Sequence, residues 1–201
     1  IASGVYFYVK YSLGANPTEA TLILATTFIV TALCLPLWRR FIALRYDPRT
    51  GLTIAYAGLG LTSIPLYFAA DMTQALFSAC FFGVALAGSL LLGDVIMADV
   101  IDEDEQHSGE RREAMFYAVN GAGLALSGTI SSIYFGIIAS GFGYDPLLTM
   151  QPATVGYGFR VYMIALPLVA GLLGAIAIRY YPLHGDRLTA LRRAREAANP
   201  A

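Results

Sequence analysis

The sequence predicts an all-α integral membrane protein, and three observations carry that reading. Of the 201 residues, 57% are hydrophobic and 13% are charged, where soluble proteins average about a quarter charged. Mean hydropathy is +0.60, and the apolar residues gather into runs of about twenty separated by short polar connections, the pattern of membrane-spanning helices. The basic residues are also sorted. Arg39, Arg40, Arg45, Arg49, Arg111, Arg112, Arg179, Arg187, Arg192, Arg193 and Arg195 fall in alternate connections, and only Lys10 and Arg160 fall in the others. Eleven against two is a strong positive-inside bias.

Taken in order, residues 1–13 are apolar and aromatic but too short for a hydrocarbon core of about 30 Å at 1.5 Å per helical residue. They are expected to be the second half of a span, ended by the turn residues Gly14-Ala15-Asn16-Pro17. Residues 19–38 make the second span. A basic connection follows, with Arg39, Arg40, Arg45, Asp47 and Arg49, closed by Pro48 and Gly51. Residues 52–69 are the third span, and the turn Asp71-Met72-Thr73 leads into the fourth, 74–98. The fifth is 114–140 and the sixth 157–181, with a Gly/Pro-rich loop between them. Residues 182–201 form a charged tail of helical character. By the basic asymmetry, the 39–50 and 99–113 connections and the tail are expected on the cytoplasmic side. Pro65 and Pro167 suggest kinks. Gly128, Ser132, Gly136 and Ser140 recur every four residues, a face suited to close helix approach.

Several function classes are excluded. A net charge of −1 offers no basic field for nucleic acid. Cys34 and Cys80 both lie in apolar runs, where they read as small hydrophobes. His107 and His184 have no partner at metal-ligand spacing, so no metal or other cofactor is expected.

The most distinctive stretch is Asp99 to Glu113, with seven acids and two arginines in fifteen residues. A single ionised side chain at mid-bilayer costs roughly 2.5–3.5 kcal/mol on insertion scales, so this segment is expected to be a water-facing connection between two spans. Within the spans, the polar residues Tyr6, Lys10 and Tyr11 (first), Ser89 (fourth) and Asn120, Ser127 and Thr129 (fifth) are candidates for a solute cavity; hydrogen bonding between helices is the competing fate. Asp94, an acid within an apolar run, is a functional candidate by default, although it sits one turn from the boundary.

The segment ADVIDEDEQHSGERRE resembles a signature of the glycoside–pentoside–hexuronide:cation symporters, the melibiose-carrier-like branch of the major facilitator superfamily. It has the form of an Asp-x-x-Asp pair, a polar stretch and then Gly-x-Arg-x-Glu, here Asp99, Asp102, Gly109, Arg111 and Glu113. Pro36-Leu37-Trp38-Arg39-Arg40, Gly143-Tyr144 and YYPLHGDRL support it. The resemblance implies the C-terminal six-helix half of a twelve-helix major facilitator fold with a truncated first helix, partnered by an N-terminal half of the same protein. It also implies a secondary transporter of a small sugar- or glycoside-like solute, coupled to Na⁺ or H⁺ and working by alternating access in a bacterial inner membrane with its C-terminus in the cytoplasm. Asp99, Asp102, Arg111 and Glu113 would then form a latch at the cytoplasmic end, with static anchoring of the loop as the plainer alternative. One departure stands out. Relatives often carry a basic residue early in the eleventh span, and the equivalent here is Ala125, which predicts weaker or altered cation coupling or a more apolar solute.

Two other readings compete. One is a lipid or lysolipid carrier of the same superfamily. The other is a membrane-embedded transferase in which Asp99, Asp102 and Asp104 hold Mg²⁺. That chemistry needs a second acidic motif or a basic phosphate cradle; the 38–50 connection supplies arginines only, and no Asp-Gly-x-x-Ala-Arg pattern occurs.

Overall fold

The computed structural model describes residues 2–43, 45–185 and 187–191. Ile1 and the tail beyond Leu191, with Arg192, Arg193 and Arg195, lie outside the described residues.

Among these, seven α-helices follow in order: α1 (Ala2–Tyr11), α2 (Ala20–Trp38), α3 (Pro48–Ser63), α4 (Pro65–Phe68), α5 (Met72–Ser108), α6 (Glu113–Gly141) and α7 (Ala153–Ile178). Five segments are long and apolar enough to cross a membrane: α2 with its extension, α3 with α4, α5, α6 and α7. α1, at ten residues, rises only about 15 Å.

Local chemistry sets the boundaries. α2 continues beyond Trp38 as a π-helical turn, Arg39–Ala43, so the first arginines of the basic connection are still helical. α3 begins at Pro48, four residues before the apolar pattern suggests. Asp47 caps it by accepting the Arg49 N–H at 3.2 Å, and Pro48 occupies the first helical position, where a missing N–H costs nothing. The third span is broken at Ile64. Pro65 has no N–H for the carbonyl of Leu61, and the N–H of Ile64 takes that carbonyl instead at 3.2 Å. The carbonyl of Leu66 on the short α4 is met from another helix, by the buried hydroxyl of Tyr8 on α1 at 2.6 Å. Pro167 leaves α7 continuous.

The largest difference from the sequence expectation lies in α5. The acidic run is not a loop: the helix continues unbroken to Ser108, 37 residues or about 55 Å. The connection to α6 shrinks to 109–112, opening on Gly109 in the left-handed conformation (φ 73°), whose N–H closes onto the carbonyl of Glu105. Hydropathy marks where the apolar run ends but says nothing about where α5 stops being helical.

α5 packs against α2 and α3, α3 against α7, and α7 against α1, which touches α2 in turn. These helices close a ring around an apolar cavity of about 390 Å³, lined by Ile23, Thr27, Leu59, Phe82, Met163 and Pro167 among others. Glycines let the ring close. A Cβ on Gly83 of α5 would lie 2.7 Å from the carbonyl oxygen of Thr27, and one on Gly171 of α7 would lie 2.5 Å from that of Tyr56. The buried Thr31 hydroxyl sits at this α2/α5 contact, within reach of the Thr27 and Gly83 carbonyls. Trp38 is part of the same contact, donating its indole N–H to the Val84 carbonyl at 2.8 Å.

α6 stands outside the ring. It touches α7 near its far end, where Tyr134 stacks on Tyr162 at 5.0 Å and Phe135 meets Phe7 and Phe159. From Glu113 to Ile130 its residues are exposed apart from the half-buried Phe116. Among the described residues, the small-residue face expected to pack helices is bare: a Cβ added at Gly128 or Gly136 meets nothing within 4 Å.

Candidate functional site

The basic end of the bundle carries the densest polar network, and α5 builds it. Its last three turns hold Asp99, Asp102, Glu103, Asp104 and Glu105. Carboxylates at a helix C-terminus oppose the macrodipole and repel one another. Arginines from two other parts of the chain offset this. The turn at Gly109 folds Arg111 back onto α5, where its guanidinium reaches Asp102 at 3.2 Å and Glu105 at 2.7 Å, and also Glu113 on the first turn of α6 at 2.6 Å. Arg112 grips Asp104 with two nitrogens, at 3.0 and 2.7 Å. From the tail, Arg187 meets Glu103 at 2.5 Å.

Burial grades these contacts. The side chain of Asp102 is 8% exposed, while those of Arg111, Glu105 and Glu113 are 43%, 42% and 50% exposed. Asp99, one turn earlier, is also buried. Arg111 is thus a surface guanidinium joining one buried acid to two exposed ones. The hydrogen bonds it donates, to Glu113 first and then to Glu105, raise its pKa above the ordinary arginine value. Its charge is therefore fixed at any accessible pH, and only movement can release it.

The tail is a second binder of the same helix extension. Leu183, Leu188 and Leu191 are buried against Val100 and Tyr181, and the Gln106 amide donates to the Leu191 carbonyl at 3.3 Å. Asp47, which already caps α3, also accepts the Gly185 N–H at 2.9 Å. The network therefore links the ends of α3, α5 and α7 through the tail, and α6 through Arg111.

The four latch candidates lie together at this end: Asp99 and Asp102 on α5, Arg111 in the connection and Glu113 on α6. Sequence reasoning missed Glu105, the Arg112–Asp104 pair and the Arg187–Glu103 pair. The three-residue spacing of Leu188 and Leu191 was the available signal that the tail has an apolar face to bury.

The cavity candidates are not gathered. Tyr6 and Lys10 are exposed on α1 and Tyr11 is half-buried, with the Lys10 ammonium 4.9 Å from the Tyr11 ring centroid. Asn120, Ser127 and Thr129 are exposed on α6, and Asp94 is exposed on α5. Ser89, Ser127 and Thr129 donate to carbonyls of their own helices, at 2.9, 2.7 and 3.3 Å. None of the eight lines the central cavity, whose wall is almost wholly apolar.

The transferase reading needs acids free to hold Mg²⁺, and two of its three are held by arginines. Asp102 and Asp104 each engage a different arginine, and among the described residues no three His, Cys, Asp or Glu side chains converge as a metal site would require.

A family model described as MFS/sugar transport protein matches residues 1–185 of the chain. No curated protein matches it significantly.

Proposed function

We propose that this chain, which belongs to the MFS/sugar transport protein family and is a transporter rather than an enzyme, moves a sugar- or glycoside-like solute by alternating access in the manner of the melibiose-carrier-like branch. The observation that carries the reading is the Arg111 contact set. One guanidinium spans the end of α5 and the start of α6, two helices that otherwise barely touch, and its strongest contacts are to exposed acids. Such a junction holds in one arrangement and parts in another at modest cost, which a rocking carrier requires at its closing end.

In this reading the bundle is one of two halves, and the solute passes along the surface it offers the other. That surface is the exposed stretch of α6 with Asn120, Ser127 and Thr129, beside Tyr6, Lys10 and Tyr11 of α1. Their exposure is what residues at such an interface would have in one half alone. The basic end faces the cytoplasm, in keeping with the arginine distribution, and the membrane is a bacterial inner membrane. Ala125 stands on α6 where a buried cation would otherwise link coupling acids to the cavity. Coupling to Na⁺ or H⁺ is accordingly weak.

Uptake of a panel of labelled glycosides into membrane vesicles tests this, with and without Na⁺ and proton gradients, in the wild type and in Ala125→Lys. Saturable uptake that responds little to gradients, with gradient dependence gained in Ala125→Lys, is expected. Failure to move any glycoside while lysolipid is carried would overturn the sugar reading. Strong gradient-driven accumulation by the wild type would overturn the weak-coupling one.

A further inference from the structure

A groove of about 610 Å³ runs between α3 and α7 on the outer face of the ring, near the basic end. Its walls are Tyr56 of α3 and Ala170, Gly174, Ala177 and Ile178 of α7, with Tyr180 and Tyr181 just beyond. Gly174 shapes its floor, because the ring of Tyr56 lies where a Cβ would be, at 3.0 Å. The groove is open and mostly apolar.

Its mouth is basic. Arg49, two turns from Tyr56 on α3, donates from its guanidinium to the main-chain carbonyl of Arg179 at the end of α7. That contact brings the Arg49 guanidinium to the Ile178–Tyr180 end of the groove, and a main-chain carbonyl does not neutralise it. Among the described residues, no carboxylate forms an ion pair with Arg49 or Arg179. Asp47, the acid nearest Arg49 in sequence, has both oxygens engaged by the main-chain N–H groups of Arg49 and Gly185. Tyr180, 83% exposed, follows Arg179 at the end of this span, a place where aromatic residues suit the lipid headgroup level.

We propose that this groove is a binding site for one anionic phospholipid, with an acyl chain lying along α3 and α7 and its phosphate held by Arg49 and Arg179. A basic pocket between spans, at the level of the headgroups, suits an anionic lipid. A guanidinium offers paired N–H donors to phosphate oxygens, and the apolar length below them fits a hydrocarbon chain rather than a free anion. The site is separate from the Arg111 network and from the solute surface on α6, and it holds whichever solute the carrier moves.

Native mass spectrometry of the purified protein, titrated with phosphatidylglycerol and with phosphatidylcholine, tests it. At roughly 1 kcal/mol per arginine near the membrane surface, Arg49→Gln/Arg179→Gln should lower the preference for phosphatidylglycerol about 30-fold. Arg179→Gln alone, which leaves the Arg49–carbonyl contact in place, should lower it about fivefold. Ala177→Trp should fill the groove and reduce retention of both lipids. Arg39→Gln/Arg40→Gln, on a helix that does not line the groove, should change little. Unchanged retention in the Arg49/Arg179 variants would overturn the proposal. So would an equal loss in Arg39→Gln/Arg40→Gln, which would indicate a diffuse basic surface. Displacement of the lipid by equimolar inorganic phosphate would overturn it as well, by reducing the site to an anion site.

Discussion

Gly171→Ala is the sharpest test of how the bundle is held together. The added methyl group would lie 2.5 Å from the carbonyl oxygen of Tyr56 and 2.8 Å from the main-chain nitrogen of Gly60. The first is about 0.9 Å inside ordinary van der Waals contact, and both obstacles are backbone, so no rotamer change relieves them. α3 and α7 must part, at a seam that forms one wall of the central cavity. Forcing extra volume into packed positions costs about 1–3 kcal/mol. For a chain of this size each kcal/mol lowers Tm by about 2–4 °C, which a thermal unfolding scan in detergent resolves easily. Gly136→Ala is the matched control. Its methyl meets nothing within 4 Å, and alanine gains up to about 1 kcal/mol over glycine in a helix. The expected order is Gly136→Ala at or above the wild type and Gly171→Ala several degrees below it. Equal Tm values for the two variants would refute the view that α3 and α7 meet through Gly171.

Three further outcomes are expected. Arg111→Ala should slow transport while leaving solute affinity within a few-fold, because its contacts lie at the end of the bundle and away from the proposed solute surface; a large affinity loss at normal turnover would instead mean direct binding. Leu188→Ala removes a side chain only 5% exposed from the tail's contact with α5. At about 2–5 kcal/mol for a buried leucine, against about 0.2–1 kcal/mol for an exposed ion pair such as Arg187–Glu103, it should speed tryptic cleavage at Arg187 far more than Glu103→Gln does. Arg45→Cys and Glu110→Cys place thiols at exposed positions in the two connections of the basic end, and an impermeant reagent should leave both unlabelled in intact cells; ready labelling from outside would reverse the orientation.

The sequence by itself determined the class of the molecule. Crossing a membrane is an additive property of about twenty consecutive residues, so hydropathy marked five long apolar helices, and the charge of each connection could be counted without knowing any contact. The Asp99–Glu113 motif was legible for the same reason, as residue types at fixed spacing. What the linear pattern did not contain was the partner of each group. The end of an apolar run and the end of a helix are separate events, and α5 continues about three turns past the first, where Arg111, Arg112 and Arg187 neutralise acids that would otherwise oppose its dipole. The glycines show the same limit. Gly128 and Gly136, regular in sequence, face open space, while a Cβ on Gly83, Gly156 or Gly171 would meet a main-chain carbonyl oxygen of another segment at 2.7, 2.4 or 2.5 Å. Only the tertiary structure decided these things, because contact between segments as distant as Arg49 and Arg179 depends on how whole helices cross, and no local propensity encodes a crossing.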